Sequence, residues 1–227
     1  MTLSACPVHI ACKGVLFDMD GILISSLGSV ERSWTKWARL RGVDPEYAMS
    51  VVHGRRAIDT VIRLRADLDP QAELKIIEDF EVEDNEGLQV LPGVRQLLSE
   101  IPSHLWTIVT SATERLARVR LAAGGISVTQ AIVTAESVTH GKPHPEPFLA
   151  GAALLGLDPR NCVVFEDSAS GAQAARDAGC IVIATTFSHP ASELRAAHHL
   201  VTDMTSISAC VLEGQSDLTL SLVPIEW

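Results

Sequence analysis

Apolar and polar positions along this chain follow two different periods, and the change between them organises the molecule. The first short apolar run, Gly14–Asp18 (GVLFD), ends on a carboxylate and reads as a fully buried strand. After a turn, Val30, Trp34, Trp37 and Leu40 recur at helical spacing with Arg and Lys between them. Asp44-Pro45 reads as an N-cap followed by proline at the first helical position, and Asp69-Pro70 repeats that signal. Residues 27–90 are therefore predicted to be all-helical, and their acidic helix, roughly Gln71–Glu86, is expected to present a solvated face. The pattern changes at Leu91-Pro92-Gly93. Beyond it, strands are predicted at Leu105–Thr110, Ala131–Thr134, Cys162–Asp167, Ile181–Ala184 and His199–Val201. Helices are predicted between them, near 93–100, 113–123, 145–155, 170–178 and 191–197. The tail, LTLSLVPIEW, alternates as a final edge strand does.

Strand–helix alternation predicts an α/β class: a Rossmann-like, three-layer core with a parallel sheet covered on both faces. The helical block interrupts the pattern after the first strand, so it is an insert and not an N-terminal domain. The expected division is a core of residues 1–26 and 91–227 and a helical cap of residues 27–90.

Composition narrows the partners. The 227 residues carry 18 Lys and Arg against 28 Asp and Glu, a formal net charge of −10. That weighs against nucleic acid, which needs a basic stripe. An anionic substrate must then be held by a local positive site or a metal. No apolar run reaches the roughly 18–20 residues of a membrane helix. The start, MTLSACPVHIACKG, is too short and polar for a signal peptide. Five cysteines without a CxxC pair read as reduced thiols of a cytoplasmic protein.

The candidate chemistry lies at strand ends. Asp18-Met19-Asp20-Gly21 follows the first strand, and ligands of doubly wound sheets bind at carboxyl ends. One carboxylate of the pair can attack as a nucleophile and the other can exchange a proton with a leaving oxygen. A carboxylate attacks phosphorus only when the repulsion between anions is neutralised, which calls for an oxygen-liganded divalent ion such as Mg²⁺. A plain turn capping a helix with Asp uses the same residues. The second apolar strand, Val163 to Phe165, runs into Glu166-Asp167-Ser168, with Asp167 as a metal ligand and Glu166 supporting from outside. A third ends in Thr110-Ser111 at a helix start, where free amides meet a phosphate. There Ser111 and Glu114 also fit a capping box, which competes for the same hydroxyl. Lys142, held between Gly141 and Pro143, is a candidate for neutralising a phosphate or the nucleophile.

These four segments, in this order, resemble the haloacid-dehalogenase-like phosphatase superfamily over nearly the whole chain: FDMDGILISS, TIVTSA, Lys142 in GKPHPEPF, and FEDSASG. Within it the likeness is to the bacterial sugar and hexitol phosphatases and the yeast deoxyglucose-phosphate phosphatases, carried by VERSWTKWARLRG, His53-Gly54-Arg55 and LPGVRQLL. The resemblance implies an aspartyl-phosphate mechanism. Asp18 is the nucleophile, and Asp20 protonates the leaving alcohol and then activates water. Asp18, the Asp20 backbone carbonyl and Asp167 bind Mg²⁺. Ser111, Ala112 and Lys142 hold the phosphoryl group. The expected ligand is a small phosphorylated metabolite, and the expected assembly is a monomer or weak dimer. Ile22 stands where the family usually has Thr, and Ser25 where it often has Asp.

His53, Gly54 and Arg55 are expected to meet the substrate from a cap loop, with a solvated interhelical turn as the competing reading. Trp34 and Trp37 are read as cap packing. His140, His144, His198 and His199 show no ligand spacing joined to carboxylates. The alternative activity is a β-phosphoglucomutase-like isomerase on the same core and cap. The related mutases carry a His early in the segment after the first motif, and the comparable place near Val30 has none. Dehalogenases of the superfamily lack the second acid, and a phosphonatase needs a cap-loop lysine that neither Lys36 nor Lys75 provides.

Overall fold

The structure, a computed structural model, describes residues 6–52, 54–128, 131–211 and 217–226. Strand β2 (Gly14–Phe17) is buried along its whole length and lies inside a parallel five-stranded sheet. Its neighbours are β5 (Trp106–Ile108) on one side and β6 (Cys162–Glu166) on the other, followed outward by β7 (Ile181–Thr185) and β8 (His199–Val201). The chain leaves β2 toward β5 and later returns to the opposite side at β6. That reversal opens a crevice at the carboxyl ends of these strands.

Alternate strand residues feed two cores. Val15, Phe17, Val163 and Phe165 face α5 (Val94–Glu100) and α6 (Glu114–Ala123). Leu16, Val164 and Val182 face α7 (Glu146–Leu154) and α8 (Ala169–Asp177). Phe17 and Phe165 stack in register at 5.1 Å, so the two strands that carry the acidic residues are locked together just beneath them.

The tail strand β10 (Leu218–Leu222) is no edge: it pairs antiparallel with both β1 (Val8–Cys12) and β9 (Ile207–Val211) in a separate three-stranded sheet. Leu218, Leu220 and Leu222 bury one face of it in the cluster that also holds Val94, Leu97 and Leu121 of α5 and α6. Of Ala131–Thr134 only Val133 pairs, in a single bridge to Val109. The 191–197 segment forms only a short 3₁₀ turn, Ala191–Glu193.

Between the short strands β3 (Ile24–Ser25) and β4 (Gln89–Val90), which pair antiparallel, the chain forms four helices. These are α1 (Leu27–Arg41), α2 (Pro45–Val52), α3 (Ala57–Leu64) and α4 (Pro70–Glu83). Asp69 caps α4 as expected, accepting from the amides of Gln71 and Ala72. The helices share an apolar cluster of their own that includes Trp34, Trp37, Val61 and Ile77. Trp37 Nε1 donates to Glu73 Oε2 at 2.8 Å, and Arg41 pairs with the same carboxylate at 2.7 Å.

Helix α4 does not simply present its acids to solvent. Glu73 and Glu81 are buried, and Glu78 faces α6 through Arg115 (2.8 Å) and Thr113. A helix with no basic residue in its last turn thus uses its carboxylates as internal and interlayer contacts. No helix among the described residues is long and apolar enough to cross a membrane.

Candidate active site

The ladder between β2 and β6 continues one bond past the strand, where Asp18 N–H donates to the Phe165 carbonyl at 2.9 Å. This fixes the Asp18 backbone at the sheet's carboxyl edge. Its side chain is buried, and Lys142 Nζ lies 2.9 Å from Oδ1. The same ammonium sits 2.6 Å from Glu166 Oε1 and faces the Phe148 ring at 5.0 Å. Glu166 spends its other oxygen, Oε2, on the amides of Asp167 (2.9 Å) and Ser168 (2.8 Å) and the Ser168 hydroxyl (2.9 Å). One carboxylate therefore fixes both the lysine and the turn carrying Asp167. Gly171 leaves room for it: a Cβ there would lie 1.7 Å from Glu166 Oε1.

Charge in this site is unbalanced. Burial pushes Asp18 up to about 7 against the pull of Lys142, with Glu166 adding to the rise. Burial, then the charges of Glu166 and Asp18, hold Asp167 well above the usual carboxylate range. Burial alone would lower Lys142, but the two carboxylates beside it outweigh that and raise it. Donor oxygens of Asp18, Glu166 and Asp167 lie within 4.8 Å of one another. One ammonium among three buried carboxylates leaves negative charge that a hard divalent cation would offset, and an all-oxygen set suits Mg²⁺. Both Glu166 oxygens are already engaged, so Asp18 and Asp167 are the acids with coordination to spare.

Asp20 faces elsewhere. Its carboxylate lies 2.9 Å from Nη1 of Arg120, a buried guanidinium on α6, which also approaches Glu81 of α4 at 3.4 Å. Burial raises Glu81 to about 7 despite Arg120. Asp18, Asp20, Glu81, Arg120, Ser111 and Trp34 all line one pocket between the core and the four helices. Trp34 thus both packs, edge-on to Trp37 at 5.4 Å, and forms pocket wall.

The phosphate-binding candidates meet at the end of β5. Ser111 does not cap α6; Thr113 does, accepting from the Leu116 amide. The competing capping box with Glu114 does not form: Glu136 takes the Glu114 amide instead. Ser111 Oγ donates at 3.3 Å to the Gly54 carbonyl, which Ser170 Oγ also reaches at 3.1 Å. The Ala112 amide donates to Thr110 Oγ1 at 3.0 Å. Gly54 has φ +71°, and a Cβ there would strike Ser168 Oγ at 2.3 Å, so the cap loop rests directly on the core. Arg55 lines the pocket beside it. His53 lies outside the described residues.

His140 and His144 do join a carboxylate: His140 Nδ1 is 2.9 Å from Glu146, and His144 Nδ1 is 3.9 Å from it. The i to i+6 and i to i+2 spacings hide this, since the loop folds back on itself. Arg120, Glu81 and Arg56 were not singled out from sequence. Arg56 donates to the Val138 carbonyl at 3.1 Å and packs against Gly141, bracing the lysine loop from the cap. An arginine directly after the Gly54-Arg55 pair was the available signal.

Buried carboxylates thus gather at the switch of strand order of an α/β core, under an inserted helical layer. The chain belongs to the haloacid dehalogenase-like hydrolases, whose family model matches residues 12–179. It is 43% identical over 178 residues to hexitol phosphatase A of Escherichia coli (strain K12), covering 76% of this chain and 82% of that one. It is 33% identical to glycerol-1-phosphate phosphohydrolase 2 of Saccharomyces cerevisiae, covering 82% and 80%. Among solved structures, a β-phosphoglucomutase from Clostridium difficile superposes with TM-score 0.73 at 22% identity, over 85% of this chain and 92% of that one; this likeness concerns the fold.

Proposed function

We propose that this hydrolase removes phosphate from small sugar or polyol phosphate monoesters, with Mg²⁺ and through a phosphorylated Asp18. The carrying observation is the division of labour between two carboxylates two residues apart. Asp18 is buried against Lys142 and beside Asp167, whereas Asp20 faces the pocket wall and Arg120. The phosphatase names of the relatives support the substrate class.

In this reading Asp18 attacks phosphorus, the P–O bond to the alcohol breaks, and Asp20 gives its proton to the departing oxygen. Asp20 then takes a proton from the water that attacks the acyl phosphate, which returns Asp18 and releases inorganic phosphate. Lys142 and the Ser111 hydroxyl hold phosphoryl oxygens, with the Ala112 amide once it parts from Thr110. Mg²⁺, bound by Asp18, Asp167 and the Asp20 carbonyl, would screen the repulsion between nucleophile and phosphoryl group. Residues 27–90 act as a cap that covers the pocket and selects the leaving group, with Gly54 and Arg55 on its contact loop.

The test is phosphate release across sugar, polyol and nucleotide monophosphates, with and without Mg²⁺. Release confined to sugar and polyol esters, lost on chelation and in Asp18→Asn, is the expected result. Near-normal turnover by Asp18→Asn would falsify the covalent mechanism. Conversion of a sugar phosphate to its isomer without phosphate release would transfer the chain to the mutases.

A further inference from the structure

We infer that Arg120 is a positioning residue that aims Asp20, and that Glu81 of the cap holds it in place. The inference rests on the phosphatase reading above. Three side chains from three parts of the fold meet here. Asp20 comes from the turn after β2, Arg120 from the last turn of α6, and Glu81 from the last turn of α4. Arg120 and Glu81 are buried, while the Asp20 side chain is 27% exposed on the pocket.

A buried guanidinium is tolerated only when carboxylates compensate it. Here one of those carboxylates belongs to the core and the other to the cap. Arg120 therefore keeps both carboxylates only while α4 is packed against α6. Its 2.9 Å contact with Asp20 is an ion pair without hydrogen-bond alignment, and its hydrogen bond to Glu81 is long at 3.4 Å. Parting of the layers would break the looser contact first and leave Arg120 with Asp20 alone. A general acid must be held within a fraction of an ångström of the oxygen it protonates. Asp20 sits in a turn, with space on its pocket side, and the cation paired with its carboxylate is Arg120. The cap thereby sets the aim of the acid as well as covering the substrate.

A purely structural ion triad would look the same in coordinates but behave differently in kinetics. Proton donation matters for an alkoxide leaving group and hardly at all for nitrophenolate. Single-turnover release of alcohol from a polyol phosphate and of nitrophenolate from 4-nitrophenyl phosphate should be measured side by side with Mg²⁺ present. Arg120→Gln should raise the aryl-to-alkyl rate ratio about tenfold or more, within the range general acids contribute. Glu81→Gln, a milder change that keeps the fold if Arg120→Gln does not, should raise it severalfold. Arg120→Lys should recover part of the native ratio. Equal losses on both esters in Arg120→Gln and Glu81→Gln, or no change in either, would overturn the inference. Native enzyme releasing neither alcohol would overturn the phosphatase reading itself, and that result appears before any variant is made.

Discussion

A methyl group on Gly21 would lie 1.8 Å from Asp167 Oδ2, and the residue has φ +79°. The missing side chain therefore makes room for Asp167 at the end of the neighbouring strand as much as for the turn. Gly21→Ala must push the Asp167 carboxylate aside, and the left-handed backbone adds about 1–2 kcal/mol of strain. Mg²⁺ affinity measured by calorimetry should fall roughly tenfold to a hundredfold, the range seen when a metal ligand loses its support. Unchanged affinity would show that Asp167 does not ligate. At this scale legibility follows locality. Asp18, Asp20, Lys142 and Asp167 each stand at a strand end or in a rigid Gly-Pro setting, so short windows of sequence expose them. Arg120 and Glu81 stand 39 positions apart and meet only when two helices pack; nothing in either window distinguishes them from surface charges. Glu166 was legible as a neighbour of the site, but not its grip on Lys142, which depends on the emptiness at Gly171.

The loop from Thr139 to Glu146 shows how an element without regular structure is held. Glu146, the first residue of α7, accepts from the amides of Thr139 (2.7 Å) and His140 (2.9 Å) and contacts the His140 ring. Those bonds, the Thr139 amide foremost, hold its carboxyl down at about 2 against an ordinary 4.5. A depressed carboxylate contributes stability that is present above the unfolded value and lost as pH falls through the folded one. The loop carrying Lys142 should therefore keep this support in full above about pH 4.5 and lose it progressively as pH falls toward 2. Amide hydrogen exchange of Thr139 and His140 by NMR measures this directly. In Glu146→Gln the two amides should exchange faster already at pH 6, because a neutral amide accepts more weakly than a carboxylate. Equal protection in the variant would mean that the loop is held by something else. Helices with Asp-Pro starts and strands with continuous apolar runs were legible as elements because their signals are local. The place of β10 between β1 and β9 was not, since period-two alternation marks a half-buried strand without saying how many neighbours it has.

At the scale of the whole molecule, the cap–core seam is built from charge. Arg115 on α6 meets Glu78 and Asp79 at 2.8 and 2.6 Å, but it is half exposed, where such pairs contribute only about 0–1 kcal/mol. The insertion itself was legible as a break in period at Leu91-Pro92-Gly93; the seam was not, because α4 reads as one more acidic surface helix. A seam of polar contacts, joined to the core through the two strands β3 and β4, permits relative motion of the layers. Motion of this kind would let an ester enter and water leave before reaction. The core would then govern chemistry for every substrate and the cap would govern which substrate fits. Arg55, on the cap loop and in the pocket wall, is placed to act on the second of these alone. Arg55→Ala should therefore reorder sugar and polyol phosphates by kcat/KM, by roughly tenfold for the best of them if a charged hydrogen bond is lost. The rate with 4-nitrophenyl phosphate should change far less, since its ring offers that side chain no hydroxyl. Lys142→Ala should instead depress all esters together. An unaltered order of substrates in Arg55→Ala would remove the loop at Gly54 from substrate choice and leave it only the task of resting the cap on Ser111 and Ser170.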